Sequence, residues 1–228
     1  MKERFYRLNI GWETIVLLLV LAFVLTSSGS RTSKNSWEKI CGCSQQVPKD
    51  APVLSLPVNP KDIRYRYYGI WPFGIKGGGH PEGHPGIDFE LKTRAEILAV
   101  APGTVVSVAP NLRWSNEYTL RIRCSTPSGN IYTFWYDHLG EVFVKMGDKV
   151  EREEIIGRAS LRHDKGPRSM VHFGLIVLRY EKIAKGLPYL RIRRTVCPGP
   201  YFSREAKKQL LTIIQKSKYK KICVKSQL

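Results

Sequence analysis

The chain has 228 residues, a formal charge of +18 and a pI near 9.9. That length suits one domain with appendages rather than two domains, and it is long enough to bury a real core. The charge excludes a neutral surface and points to an anionic partner: nucleic acid, an acidic membrane face or an anionic cell-wall polymer. From Arg179 to Leu228 there are 14 Lys and Arg against 2 Asp and Glu, so this tail carries +12 of the +18. The excess charge therefore acts mainly through the tail.

Lys2, Arg4 and Arg7 precede an unbroken apolar run, Ile15 to Leu25, which gives way to Thr26-Ser27-Ser28-Gly29-Ser30. Basic, apolar and small-residue stretches in that order are those of a secretory signal. The run falls short of the ~20 apolar residues of a membrane span. Residues 1–30 are expected to be a signal peptide, with an uncleaved N-terminal anchor as the alternative. Residues 31–62 are polar and punctuated by Pro48, Pro52, Pro57 and Pro60, which predicts a linker.

A β domain is expected over 63–180. Ile63 to Trp71 is aromatic and predicts an edge strand. Phe73 to Gly86 is a glycine-rich loop, with Gly77-Gly78-Gly79 leading into His80. Gly83-His84-Pro85-Gly86-Ile87-Asp88-Phe89 cannot be a stable helix, because proline and glycine interrupt it. It predicts a turn feeding a strand, with Asp88 and Glu90 on one face and Ile87, Phe89 and Leu91 on the other. Short alternating segments follow: Ile97 to Val100, Thr104 to Val108, Tyr118 to Cys124, Ile131 to Leu139, Glu141 to Val150, Glu154 to Arg158 and Val171 to Tyr180. Turns recur about every eight to twelve residues between them, as in an antiparallel β-sheet or sandwich.

Residues 181–228 are expected to be a basic extension with one helix. Ser203 is a suitable cap, and Leu210, Leu211, Ile213 and Ile214 form an apolar stripe opposite Lys207, Lys208 and Lys216. Such a helix either packs on its own domain or lies on an anionic membrane. The cysteines are Cys41, Cys43, Cys124, Cys197 and Cys223, an odd number. Cys41 and Cys43 are too close to bridge each other, and their spacing is not that of a zinc knuckle. Sequence leaves the disulfide connectivity open.

Chemistry concentrates in the histidines. His84 and Asp88 lie four apart on a turn and a strand start, where both side chains can converge on one divalent metal, and zinc accepts both ligand types. His80 is a second candidate there. His172, on a strand opposite in face to Val171 and Phe173, supplies a third ligand and leaves a fourth position for water. His138 closes the aromatic strand and is placed to hydrogen-bond that water or an oxyanion. His163 lies in the polar loop Leu161 to Ser169.

Four blocks in order carry a resemblance: Gly83 to Phe89, Ile97 to Val106, Tyr136-x-His138-Leu139 with Val144-x-x-Gly147-Asp148-x-Val150 and Ile156-Gly157, and Val171-His172-Phe173. The chain resembles the lysostaphin-type zinc metallopeptidases, which cut peptides of bacterial cell walls, and the match covers roughly Phe73 to Val177. The resemblance implies that His84, Asp88 and His172 hold zinc and that His138 is an active-site histidine. It also implies a departure. The family's H-x-H motif, whose first histidine is the usual general base, here has Met170 at that position. A thioether accepts no proton at neutral pH, and general-base help is worth about 10²–10⁴ in rate. Three outcomes follow: His138 works alone, His163 swings in as a substitute base, or the domain binds without cutting.

Two functions are therefore expected. The first is an exported zinc endopeptidase acting on peptidoglycan cross-links, in the periplasm, outside the cell or anchored to the outer face of the cytoplasmic membrane, with the basic tail against the anionic wall or membrane. The second is an inactive module that keeps metal and peptide binding and regulates a partner hydrolase. The hairpin Val144 to Gly157 also occurs in lipoyl and biotinyl carriers, but no lysine stands at a suitable tip. A nucleic-acid partner would rest on charge alone and is not expected.

Overall fold

Alternating apolar residues pair into an antiparallel β-sheet whose core face the segment 54–58 and the C-terminal helix also join. The computed structural model describes residues 43, 45–111, 116–161, 169–182 and 189–220. The signal or anchor expected over 1–30 lies outside the described residues, as do His163, Cys41 and Cys223. The strands are β1 (Ile70–Trp71), β2 (Ile87–Leu91), β3 (Glu96–Leu98), β4 (Gly103–Pro110), β5 (Tyr118–Ser125), β6 (Ile131–Val142), β7 (Lys149–Val150), β8 (Ile155–Ala159), β9 (Ser169–Lys182) and β10 (Tyr189–Val196). The sheet runs β1-β2-β9-β6-β5-β4-β7, with β10 added to β9 and β8 bridging β3 and β6. The expected β class is the observed one.

Period two sorts these strands into a core face and a site face. Phe89, Leu120, Ile122, Tyr132, Phe134, Tyr136, Val171, Phe173 and Leu175 are all 0 % exposed and form the core face. In register with them on the other face run Asp88↔His172, Glu90↔Met170, Asp137↔His172 and Trp135↔Gly174. All five residues of β2 are buried, the two carboxylates included. A buried carboxylate is costly unless its oxygens are hydrogen-bonded, so both must have partners.

The register shifts at several places, and one of them, between β5 and β6, matters for the site. Tyr118 opposes Leu139 and Leu120 opposes Tyr136, so Thr119 alone faces both Asp137 and His138. This is a β-bulge. His138 sits there at φ 68°, the left-handed region that costs a non-glycine residue about 1 kcal/mol or more. Beyond the bulge β6 leaves β9 and pairs with β8 instead, Leu139 opposite Ala159.

Two expected boundaries move. Residues 31–62 are not all linker: Leu54, Leu56 and Val58 are buried, Leu54 N–H donates to Tyr201 O, and Ser203 N–H donates to Leu54 O. The alternation Leu54-x-Leu56-x-Val58 is a strand-like signal that the flanking prolines mask. The domain also continues past Tyr180, because β10 pairs with β9 from Tyr189↔Lys182 to Val196↔Leu175. Its alternation, Leu190-Arg191-Ile192-Arg193, reads first as charge.

Helix α1 (Arg204–Lys216) begins as expected, with Ser203 Oγ accepting from Ala206 N–H at 3.1 Å. Its buried residues, Ala206, Leu210, Ile213 and Ile214, join the core, so the apolar stripe is spent on its own domain. A disulfide joins Cys43 to Cys197, 154 residues apart, and Cys124 is a free thiol among the described residues.

Candidate metal centre and active site

The turn before β2 and the middle of β9 bring three side chains to one point. Asp88 and His172 are cross-strand partners, and His84 reaches them from the turn four residues ahead of Asp88. His172 Nδ1 lies 2.8 Å from Asp88 Oδ1 and 3.1 Å from His84 Nε2, and His84 Nε2 lies 3.1 Å from Asp88 Oδ1. All three residues are buried. Burial by itself would raise the Asp88 carboxyl, but hydrogen bonding and electrostatic attraction to the His172 and His84 rings hold it well below the usual carboxylate range.

The donor set fits a zinc ion. His84 Nδ1 lies 3.3 Å from the Pro72 carbonyl, which it meets as a donor, so Nε2 turns its lone pair inward. Three electron-pair donors converge in a buried space and call for positive charge between them. Tetrahedral zinc with ligands at about 2.0–2.2 Å separates neighbouring donors by roughly 3.3 Å. The observed spacings need only small widening. His172 Nε2 is buried without a hydrogen-bond partner, the nitrogen that would carry the proton when Nδ1 is committed to a metal.

Aromatic rings wall the cluster. Trp71 stacks on His84 at 4.9 Å and 20°, and Trp135 meets His172 edge-on at 4.9 Å and 62°. His80 lies 5.1 Å from His84, ring to ring, and edge-on to Trp71. Only His84, Asp88 and His172 form the convergent set among the described residues, so His80 is a neighbour of it and not a member. Gly86 is required here: a Cβ would stand 2.6 Å from His172 Nε2 and 2.4 Å from the Phe173 carbonyl oxygen.

Met170 stands on the same face as His172, as period two requires. The Tyr68 hydroxyl donates to its Sδ at 3.5 Å. Tyr68 is held there by its own loop, since Glu90 accepts N–H bonds from Tyr67, Tyr68 and Gly69. The segment after α1 closes on the same loop. Lys218 N–H donates to Tyr68 O, and buried Tyr219 has its hydroxyl raised by burial and by the Asp88 charge.

His138 follows Asp137, the residue paired with His172, along β6. Its Nδ1 lies 2.5 Å from Glu117 Oε2, and Glu117 Oε1 accepts from Ser160 Oγ at 2.7 Å. Ser160 N–H in turn donates to His138 O. A buried carboxylate therefore fixes the tautomer and orientation of this imidazole. Glu117 and Tyr68 are absent from the sequence reading. Neither has a local signal: Glu117 is a single carboxylate before a strand, and its partners lie 21 and 43 residues away.

A family model described as peptidase family M23 matches residues 82–184. These residues are a peptidase family M23 domain. The chain is 33 % identical over 91 residues to glycyl-glycine endopeptidase ALE-1 of Staphylococcus capitis, covering 40 % of this chain and 23 % of that protein. It is 32 % identical over 142 residues to lysostaphin of Staphylococcus simulans, covering 58 % of this chain and 27 % of that one. The chain thus spans about a quarter of the length of these curated relatives. The catalytic domain of Staphylococcus simulans lysostaphin superposes with a TM-score of 0.40 at 23 % identity, covering 59 % of this chain and 91 % of that one. The M23 domain contains the triad, His138, Glu117 and Met170, whereas Tyr68 and Tyr219 come from outside the matched segment.

Proposed function

We propose that the chain is a zinc-dependent endopeptidase that hydrolyses peptide cross-links of bacterial peptidoglycan. The convergence of His84, Asp88 and His172 inside an M23 domain carries this reading. Those three residues would hold the ion, which supplies Lewis-acid polarisation of a carbonyl oxygen and lowers the pKa of water. Asp88, kept ionised in a buried setting, adds negative charge to the ligand set. His138 moves the proton: Glu117 takes Nδ1–H, so Nε2 is the nitrogen that accepts or donates. Ser160 holds Glu117 in turn. Tyr68 supplies a hydroxyl beside Met170, where the resemblance places a histidine base. The Cys43–Cys197 disulfide favours an exported protein in an oxidising compartment, and the basic tail suits an anionic wall.

Met170 favours a second reading, a module that binds metal and peptide without cutting. Purified peptidoglycan incubated with the zinc-loaded chain separates the two. Release of peptides, abolished in His172→Ala, supports the peptidase. No release by the wild type, with release gained in Met170→His, supports the module.

A further inference from the structure

The site face carries a cation that the metal centre and His138 leave unused. Arg121 opposes Trp135 across β5 and β6, and Trp135 opposes Gly174 across β6 and β9. This row lies one step along the strands from Asp137↔His172. The guanidinium carbon of Arg121 sits 6.0 Å from the Trp135 ring centroid, and that ring meets His172 at 4.9 Å. Arg121, Trp135 and His172 thus form one continuous line of contacts leading away from the ligand set.

Arg121 is half-buried, and its Nε is fully buried with no hydrogen-bond partner. The Trp135 indole N–H is likewise buried without a partner. Carboxylates on this face are engaged elsewhere. Asp137 accepts the Thr119 hydroxyl, and Asp88 belongs to the histidines. Among the described residues, none forms an ion pair with Arg121. A guanidinium held on an indole face, with its Nε buried and no anion among the described residues, is a preformed fork for a carboxylate, which it matches with two parallel N–H···O bonds.

The floor between the fork and the ligand set is glycine. A Cβ at Gly174 would stand 2.9 Å from the Trp135 ring and 3.5 Å from His172 Nε2. The Trp135 indole already occupies that space, so glycine lets the ring settle on β9, and an extended peptide would run across the ring. Such a peptide advances about 3.3 Å per residue. The two ring-scale steps from His172 to Arg121 therefore correspond to about two or three peptide residues.

We propose that Arg121, seated on Trp135, is a subsite for a peptide carboxylate about two or three residues from the bond held at His84, Asp88 and His172. The ligand class is a peptide ending in a free α-carboxylate, or bearing an acidic side chain, at that distance. The proposal rests on the peptidase reading for the placement of the bond, but its binding claim is independent of turnover.

The test is calorimetric binding to the full chain with its metal removed by chelation, at ~0.15 M salt, where tail charge is largely screened. The probes are N-acetyl-pentaglycine and its C-terminal carboxamide. The acid is expected to bind about tenfold more tightly than the amide. Arg121→Gln is expected to bring the two within about twofold of each other, while Arg123→Gln, an exposed arginine two residues along the same strand, leaves the preference unchanged. Equal affinity of the wild type for the two probes, including no binding to either, overturns the proposal, and this needs no variant to fold. So does a preference lost equally in both arginine variants, which would make it a general field effect. Hydrolysis of peptidoglycan without acid preference would sink the subsite alone. Acid preference without hydrolysis would leave the subsite standing and remove the peptidase.

Discussion

The cluster of His84, Asp88 and His172 sits on strands in unbroken register, whereas His138 sits where the register breaks. In the first, ordinary alternation does the placing: Asp88 faces His172 because both strands keep period two. In the second, His138 is itself the bulged residue at φ 68°, and Glu117, just before the neighbouring strand, fixes its ring. A regular strand pair suits ligands that must keep a constant separation. A bulge suits a group that must be aimed, at a cost in local strain.

Removing a ligand should separate the two clusters most sharply. His84→Ala, Asp88→Ala and His172→Ala are each expected to lose zinc on dialysis, measured as metal per chain, while His138→Ala keeps it. Metal retained in all three ligand variants would undo the assignment. Next, His138→Ala is expected to lower kcat by about 10²–10⁴ with metal content unchanged. His138→Gly should match that loss without falling in stability, because glycine accepts the left-handed backbone. A smaller effect is expected for Glu117→Gln, about 10–100-fold in activity, together with a shifted pH–rate profile. A stability loss with an unaltered profile would make Glu117 a merely structural residue.

Gly86→Ala attacks the regular cluster through its backbone. The new methyl group meets His172 and the Phe173 carbonyl, so a loss of about 1–3 kcal/mol in urea denaturation is expected, with weakened zinc binding. The mildest test lies on the core face behind both clusters. Tyr136 OH accepts the Val100 N–H at 3.0 Å, and Tyr136→Phe should cost about 1–3 kcal/mol by orphaning that donor. Burial raises the Tyr136 phenol far above the ordinary value, opposed only by the Val100 N–H. A raised folded value means stability that is complete below the unfolded tyrosine pKa near 10 and lost as pH rises through the folded one. Urea midpoints should therefore hold constant from about pH 7 to 9 and fall above 10, less steeply in Tyr136→Phe.

The tail offers a parallel contrast. Its helix was legible from Ser203 and the Leu210, Ile213 and Ile214 spacing, because caps and period 3.6 are local. Strand β10 was not, because arginines at alternate positions resemble a charge run until β9 supplies the pairing partner. Leu54, Leu56 and Val58 were hidden the same way, among prolines that suggest a linker; Tyr201 and Ser203 bond the Leu54 backbone, Val100 O accepts from Ser55 N–H, and Val58 bridges Ile97.

Sequence by itself determined the β class, the face-sharing of Asp88 with Glu90 and of Met170 with His172, and the candidacy of His84, Asp88 and His172. These follow from period two and from residue chemistry, which act over a few positions. Tertiary structure alone decided that the three donors meet within about 3 Å, that Glu117 holds His138, that Tyr68 caps Met170 and that Arg121 lies over Trp135. Apart from His84 with Asp88, four positions apart, each of those contacts joins residues 14 to 102 positions apart, brought together by strand pairing that no local window contains.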